Sequence, residues 1–150
     1  MLLGLQLLLG IGNKIKTINH ATLGKMEYRR LKGPSITIES CNFNYFFKPL
    51  NKEVELTFSA GEAGPSSSQI DRLKEIERRY EEIPKNIEEY CTKHENPLNI
   101  NMENYKVSSI HISEGSWSIY FNYLESKKTS LDVSFDGFEI EEVSFTIFSE

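Results

Sequence analysis

Residues 66–93, with the sequence SSSQIDRLKEIERRYEEIPKNIEEYCTK, are the only long segment of this chain with a helical pattern. Its large apolar residues recur every three or four positions, as Ile70, Leu73, Ile76, Tyr80, Ile83, Ile87 and Tyr90. This spacing places side chains on one face of a 3.6-residue helix. The opposite face carries Glu, Lys and Arg, so we expect an amphipathic helix that packs with one side and meets water with the other.

The two ends of this segment and its proline refine the prediction. Ser66 and Gln69 have the spacing of a capping box, which predicts that the helix begins there. Pro84 lacks the N–H that would bond to the Tyr80 carbonyl, so we expect a kink, or a break into two helices, near residues 81–84. We interpret residues 66–93 as one long, Pro-kinked helix.

Segments with strand patterns lie on both sides of this helix. Before it, short strands are expected at residues 15–19 and 26–31, around a turn from His20 to Gly24, and at residues 35–39. After it, residues 107–112 are expected to form a strand. Alternation of apolar and polar residues predicts strands with one wet face around three sets: Val54, Leu56 and Phe58; Trp117, Ile119, Phe121 and Tyr123; and Leu131, Val133 and Phe135.

The last strand pair has two local signals. Asp136-Gly137 predicts a hairpin with a type I′ turn. In the return strand the apolar positions change parity across Glu141-Glu142, between Ile140 and Val143. A β-bulge at that point would restore the register, because a slip of one residue otherwise turns the second half of the strand inside out.

The order of strands, helix and strands predicts one α+β domain over residues 1–150. We expect an antiparallel β-sheet of six or more strands packed against the long Pro-kinked helix. Residues 105–148 are expected to form a C-terminal β-meander.

The first twelve residues, MLLGLQLLLGIG, contain eight large apolar residues. The segment is too short to span a bilayer, which takes about 20 residues. We expect residues 1–12 to dock on the core, and the alternatives are a homodimer contact through Leu2–Ile11 or a peripheral membrane anchor.

The charge distribution restricts the partner. The chain has 17 Lys and Arg and 22 Asp and Glu, a formal charge of −5. Residues 1–60 carry eight basic and four acidic residues, a net +4, whereas residues 61–150 carry nine and eighteen, a net −9. An acidic chain lacks the basic footprint that nucleic-acid or anionic-membrane binding requires. We therefore expect neither nucleic acid nor a membrane as the partner.

The candidates for chemistry do not form a signature. His20, His94 and His111 are scattered, with no HxH, HExxH or CxxC spacing, so the sequence predicts no metal site and no cofactor. His111 alternates with Ile110 and Ile112 and is expected on a solvated face. Cys41 and Cys91 are expected to be packed thiols in a reducing cytoplasm. We predict no catalytic residue and no enzymatic activity.

Three features together are similar to a known group of proteins: the His20–Gly24 turn between two strands, the Gly64-Pro65-Ser66 entry to the helix, and the terminal hairpin LDVSFDGFEIEEVSF. Over residues 15–148 the chain resembles a group of small, uncharacterised bacterial domains that are tied by their genomic setting to polymorphic-toxin immunity. The resemblance implies an α+β bacterial protein that binds another protein, and it brings no functional residue with it.

The acidic residues near the final hairpin are the candidate partner site. They are Asp132, Asp136, Glu139, Glu141 and Glu142. An acidic patch suits a cytoplasmic, non-enzymatic immunity protein that blocks a basic toxin domain, because complementary charge accelerates encounter and suppresses wrong partners. Two alternatives stay open: a small hydrolase or metal-dependent enzyme with a carboxylate–His cleft, and a membrane-peripheral structural protein.

Overall fold

The computed structural model describes residues 12–94 and 100–147, and its eight strands lie in one sheet in their order along the chain. The strands are β1 (Lys14–His20), β2 (Gly24–Lys32), β3 (Thr37–Phe47), β4 (Lys52–Phe58), β5 (Tyr105–Ile112), β6 (Ser116–Tyr123), β7 (Ser126–Asp136) and β8 (Glu139–Ile147). Two α-helices, α1 (Ser67–Arg78) and α2 (Glu82–Lys93), lie between β4 and β5. The predicted docking of Leu2–Ile11 falls outside the described residues.

The sheet is mixed, which corrects the predicted antiparallel architecture. Six neighbouring strand pairs are antiparallel, but β4 and β5 run parallel, with Glu55 opposite Ser109 and Phe58 opposite Ile112. The helices carry the chain back along the sheet before β5 begins, and a helical crossover is the usual connection between parallel neighbours. The alternation of side chains is the same in either strand direction, so the sequence pattern did not reveal this pair.

The prediction of one long Pro-kinked helix is also wrong, because the chain makes two helices of twelve residues each. The break falls at Arg79–Glu81, ahead of the proline. Pro84 is the third residue of α2, where its missing N–H breaks no helical hydrogen bond. Arg79 stabilises the break with ion pairs to Glu75 on one side, at 3.2 Å, and Glu82 on the other, at 2.8 Å.

The hydrophobic core lies between the two helices and one face of the sheet. The helices contribute buried Ile70, Leu73, Ile76, Ile83, Ile87 and Cys91, as the apolar spacing predicts. The strands contribute the predicted alternating sets, including Val54, Leu56, Phe58, Trp117, Ile119, Phe121, Leu131, Val133 and Phe135. Burial of these side chains, at roughly 1.5–3 kcal/mol each before entropy is subtracted, fixes both helices on the same side of the sheet.

Gln69 ties the start of α1 to the parallel strands. The predicted capping box is present, with the Gln69 N–H donating to Ser66 Oγ and the Ser66 N–H donating to Gln69 Oε1 at 2.9 Å. The Gln69 amide nitrogen donates to the carbonyls of Ser59, at 2.8 Å, and Ile112, at 3.3 Å. Because Ser59 follows β4 and Ile112 ends β5, this buried side chain joins one helix to two strands.

The final hairpin bears out the predicted bulge and corrects the predicted turn. Ser134 faces Glu142 and Phe135 faces Ile140, so Glu141 is the extra residue on β8. At the turn, Gly137 has a φ of +61°, and it alone between β7 and β8 has a positive φ. A positive φ at the first of the two turn residues is the mark of a type II′ turn, whereas type I′ requires it at both.

We expect Gln69→Met to lower the free energy of unfolding by about 2–4 kcal/mol, because three backbone groups, one buried and two partly buried, lose a hydrogen-bond partner while the side-chain length is kept. Urea denaturation measures this change. Ser67→Ala, at an exposed position in the same turn, is the control and should change stability by less than about 0.5 kcal/mol. A Gln69→Met variant as stable as the control would contradict the role assigned to this amide.

Candidate functional site

The face of the sheet opposite the helices is a broad polar surface. The strand register places one residue from each strand in a row across it: Thr17, Glu27, Asn42, Thr57, His111, Ser118, Ser134 and Glu142. In the described part of the chain this face is left to solvent, because α1 and α2 both pack on the other side. We call it the uncovered face.

Four of the five predicted acidic residues share one end of the uncovered face. Asp132 and Asp136 lie on β7, Glu139 is paired with Asp136 across the hairpin, and Glu142 faces Ser134. The fifth, Glu141, is the bulge residue and has no place in this register, and its backbone carbonyl accepts a hydrogen bond from Tyr90 of α2 at 3.3 Å. Asp132, Asp136, Glu139 and Glu142 therefore lie together at one end of the uncovered face, and we call these four residues the acidic end.

The charges at the acidic end interact with one another. Burial raises the pKa of Asp132, and the nearby charge of Glu142 raises it further. Burial also raises the pKa of Tyr120, the residue opposite Asp132 on β6, and the Asp132 charge adds to this effect. Asp132 is thus a half-buried carboxylate beside a like charge, which is a costly arrangement for the folded state.

An exposed apolar cluster occupies the opposite end of the uncovered face. Leu31 of β2 faces Ile38 of β3, and Ile15 of β1 is paired with Arg29, two residues from Leu31. The exposed fractions are 64% for Ile15, 38% for Leu31 and 55% for Ile38, and Ile36, just before β3, is 64% exposed. We call these four residues the apolar corner. The sequence analysis did not identify it, because only the register shows that these residues are neighbours.

The three histidines occupy separate environments. His20 accepts hydrogen bonds from the backbone N–H groups of Thr22 and Leu23, and His94 stacks on Tyr90 with ring centroids 3.9 Å apart. His111 lies on the uncovered face, as predicted, with its Nε2 2.8 Å from Ser59 Oγ. Within residues 12–94 and 100–147, no three His, Cys, Asp or Glu side chains are placed to hold a metal ion.

The cysteines are buried. Cys41 Sγ lies 3.4 Å from the Gly61 carbonyl, and burial raises its pKa, followed by the charge of Glu39. Cys91, on the buried side of α2, packs in the core. A thiol with a raised pKa holds little of the nucleophilic thiolate at neutral pH, so Cys41 suits a structural role.

Two depressions on the helix side bear on the alternative of a carboxylate–His cleft. One, of about 270 Å³, is lined by Ile100, Asn101, Asn104, Tyr105, Tyr123, Thr129 and Phe145 and contains no histidine or carboxylate. A groove of about 360 Å³ between α2 and β8 contains Glu89, His94 and Glu139. His94 Nδ1 lies 2.9 Å from the Tyr90 carbonyl, which holds the imidazole against its own helix.

Comparison of the chain with protein-family models, with curated proteins and with solved structures finds no match. No helix within the described residues is long and apolar enough to cross a membrane. The resemblance to immunity-associated domains therefore stays a prediction.

We expect Asp132→Asn to raise stability at pH 7 by up to about 0.5 kcal/mol, a size set by solvent screening. The sign follows from the raised pKa of Asp132 in the folded state. Its contribution to folding stability is complete below the ordinary pKa of 3.8, and it is lost as the pH rises through the higher folded-state pKa. Thermal unfolding of both proteins from pH 3 to pH 8 measures the difference in stability, which should vanish as the pH falls towards 3. Glu125→Gln, exposed after β6, is the control, and a less stable Asp132→Asn protein at pH 7 would contradict the assignment.

Proposed function

We propose that this chain is a protein-binding module that recognises another protein with its uncovered face. In its specific form, the proposal is a bacterial, cytoplasmic immunity protein that neutralises a toxin with a basic domain. The observation that carries it is the placement of an acidic end and an apolar corner on one face that no described element of the chain covers.

The size of the uncovered face suits a protein partner. Eight strands spaced about 4.8 Å apart, each about eight residues long at 3.3 Å per residue, span roughly 1,000 Å². A standard protein–protein interface takes about 800 Å² from each partner. The two depressions described above, of about 270 and 360 Å³, lie at the lower end of the volumes of ligand pockets. A broad surface instead favours a macromolecule over a small ligand.

The two ends of the face define the chemistry of the partner. The acidic end, with Asp132 and Glu142 held close together, attracts a basic surface and would accelerate its encounter. The apolar corner offers aliphatic side chains that bury well in the centre of an interface, and exposed clusters of this kind mark interaction sites. Five strand spacings separate Glu142 on β8 from Ile38 on β3, about 25 Å, so the partner would carry its basic and apolar regions at that separation.

Neutralisation of the acidic end, together with Glu141 at the adjacent bulge, tests the electrostatic part of the proposal. Asp132→Asn, Asp136→Asn, Glu139→Gln, Glu141→Gln and Glu142→Gln are combined, and binding of the product of the adjacent gene is measured by titration calorimetry at low and at physiological salt. We expect the dissociation constant to rise at least tenfold, with a weaker dependence on salt. Unchanged binding would contradict a basic partner at this end.

The matched control for that variant carries the same change of net charge on other surfaces. It combines Asp71→Asn, Glu81→Gln, Glu89→Gln, Glu103→Gln and Glu125→Gln, all at exposed positions. Its binding should stay close to that of the original protein. Equal weakening in both variants would mean that total charge, rather than the acidic end, governs the encounter.

Substitutions in the apolar corner test whether its aliphatic side chains contribute to binding. Ile15→Thr, Leu31→Thr and Ile38→Thr keep a residue suited to strands while removing aliphatic surface, so stability should change by less than about 1 kcal/mol in total. We expect the dissociation constant for the same gene product to rise about tenfold or more. Ile147→Thr, also exposed but at the end of β8, is the control. Binding that depends on Ile147 as much as on the corner would overturn this assignment.

A further inference from the structure

The carboxyl ends of the parallel strands bring three polar side chains together. Ser59 follows β4, Ser113 follows β5, and His111 lies near the end of β5. In folds where a helix connects parallel strands, ligands commonly bind at the carboxyl ends of those strands. All three side chains lie outside the acidic end and the apolar corner, so their arrangement calls for its own explanation.

The Ser59 hydroxyl is within hydrogen-bond reach of an imidazole. Ser59 Oγ lies 2.8 Å from His111 Nε2 and 3.1 Å from Ser113 Oγ. The side chain of Ser59 is exposed, whereas His111 is half-buried. A serine hydroxyl at this distance from a ring nitrogen can give up its proton as the oxygen attacks an electrophile.

The backbone holds Ser59 in place. Its N–H donates to the Ile112 carbonyl at 3.0 Å, and its own carbonyl accepts from the Gln69 side chain at 2.8 Å. Because Ile112 is next to His111, the hydroxyl and the ring are carried on two strands that are bonded directly to each other. This pre-organises the pair, so little conformational entropy is lost when they act together.

The protonation state of His111 suits a base. Burial lowers its pKa below the ordinary value of 6.5, so the ring is neutral at pH 7 and can accept a proton. Thr57 on β4 and Ser118 on β6 lie directly opposite His111 in the strand register. The titratable groups on the neighbouring strands that share its face are Glu55 on β4 and Tyr120 on β6, each diagonal to it.

We propose that Ser59 is a nucleophile activated by His111 and that it accepts acyl groups from small, activated carboxylic esters. Ser59 Oγ forms a bond to the carbonyl carbon while its proton passes to His111 Nε2. The bond from that carbon to the leaving oxygen then breaks as His111 Nε2 gives the proton to that oxygen, and the leaving group departs as an alcohol or phenol. Neutral His111 next takes a proton from a water molecule whose oxygen attacks the acyl carbonyl carbon. The bond from that carbon to Ser59 Oγ breaks as His111 returns the proton to Ser59, and the acyl group leaves as the carboxylic acid.

The test uses the full chain and 4-nitrophenyl acetate, followed by release of 4-nitrophenolate and by peptide mass mapping of the acetylated residue. We expect acetyl on Ser59. Ser59→Ala and His111→Gln should each reduce this acetylation at least about 100-fold, the lower range of general-base catalysis. The rate should fall as pH drops through a value below 6.5, when His111 becomes protonated.

Ser134→Ala, on the same face two strands from His111, is the matched control and should acetylate at the original rate. Acetyl found on Ser113, on His111 itself or on lysines instead of Ser59 would overturn the proposal. So would a Ser59 rate that is unchanged in His111→Gln. Circular dichroism of each variant shows whether it is folded, and binding of the adjacent gene product, measured separately, keeps this result independent of the proposed binding function.

Discussion

The parallel contact between β4 and β5 is the constraint on which the rest of the fold depends. Each half of the sheet is a meander of four strands joined by short turns, and within the described residues β4 and β5 form the single strand pairing between the halves. Parallel neighbours need a crossover, so the chain between them must travel back along the sheet and bury an apolar face on the way. The helices meet this requirement, and the Gln69 amide fixes where the crossover starts relative to both strands.

Local patterns in the sequence were sufficient for much of this architecture. Alternation identified the buried sets of β4, β6 and β7, and the change of parity in β8 located its bulge, because both features depend on side-chain direction within one strand. Strand direction at β4 and β5 and the division of the helix depend on distant contacts. Arg79, at the helix break, lies over the ring of Phe138 at 3.9 Å, and no local pattern links residues so far apart in the chain.

The candidate surface was predictable to a similar extent. The alternation placed Asp132 and Asp136 on the wet face, and the acidic end follows from it. Glu141 is the extra residue of the bulge and has no partner in the strand register, so its place relative to the other four could not be read from alternation. The apolar corner depends on the register of Leu31 with Ile38, and the meeting of Ser59 with His111 depends on the parallel pair, so neither could be found before the strands were aligned. Unfavourable groups on the uncovered face, such as Asp132 beside Glu142, lower the stability of the fold, and the dense core on the other face offsets this cost.

The two outermost strands bear on how separate molecules of this chain meet. At β1, Lys14 and Lys16 form ion pairs with Glu62, and charged side chains along an edge discourage a further strand from joining. At β8, the bulge at Glu141 interrupts the regular spacing of N–H and C=O groups that another strand would need. A sheet this wide would otherwise be a template for end-to-end polymerisation into fibrils. Its edges resist that growth, because neither rim of the sheet presents a regular, uncharged ladder to a further strand.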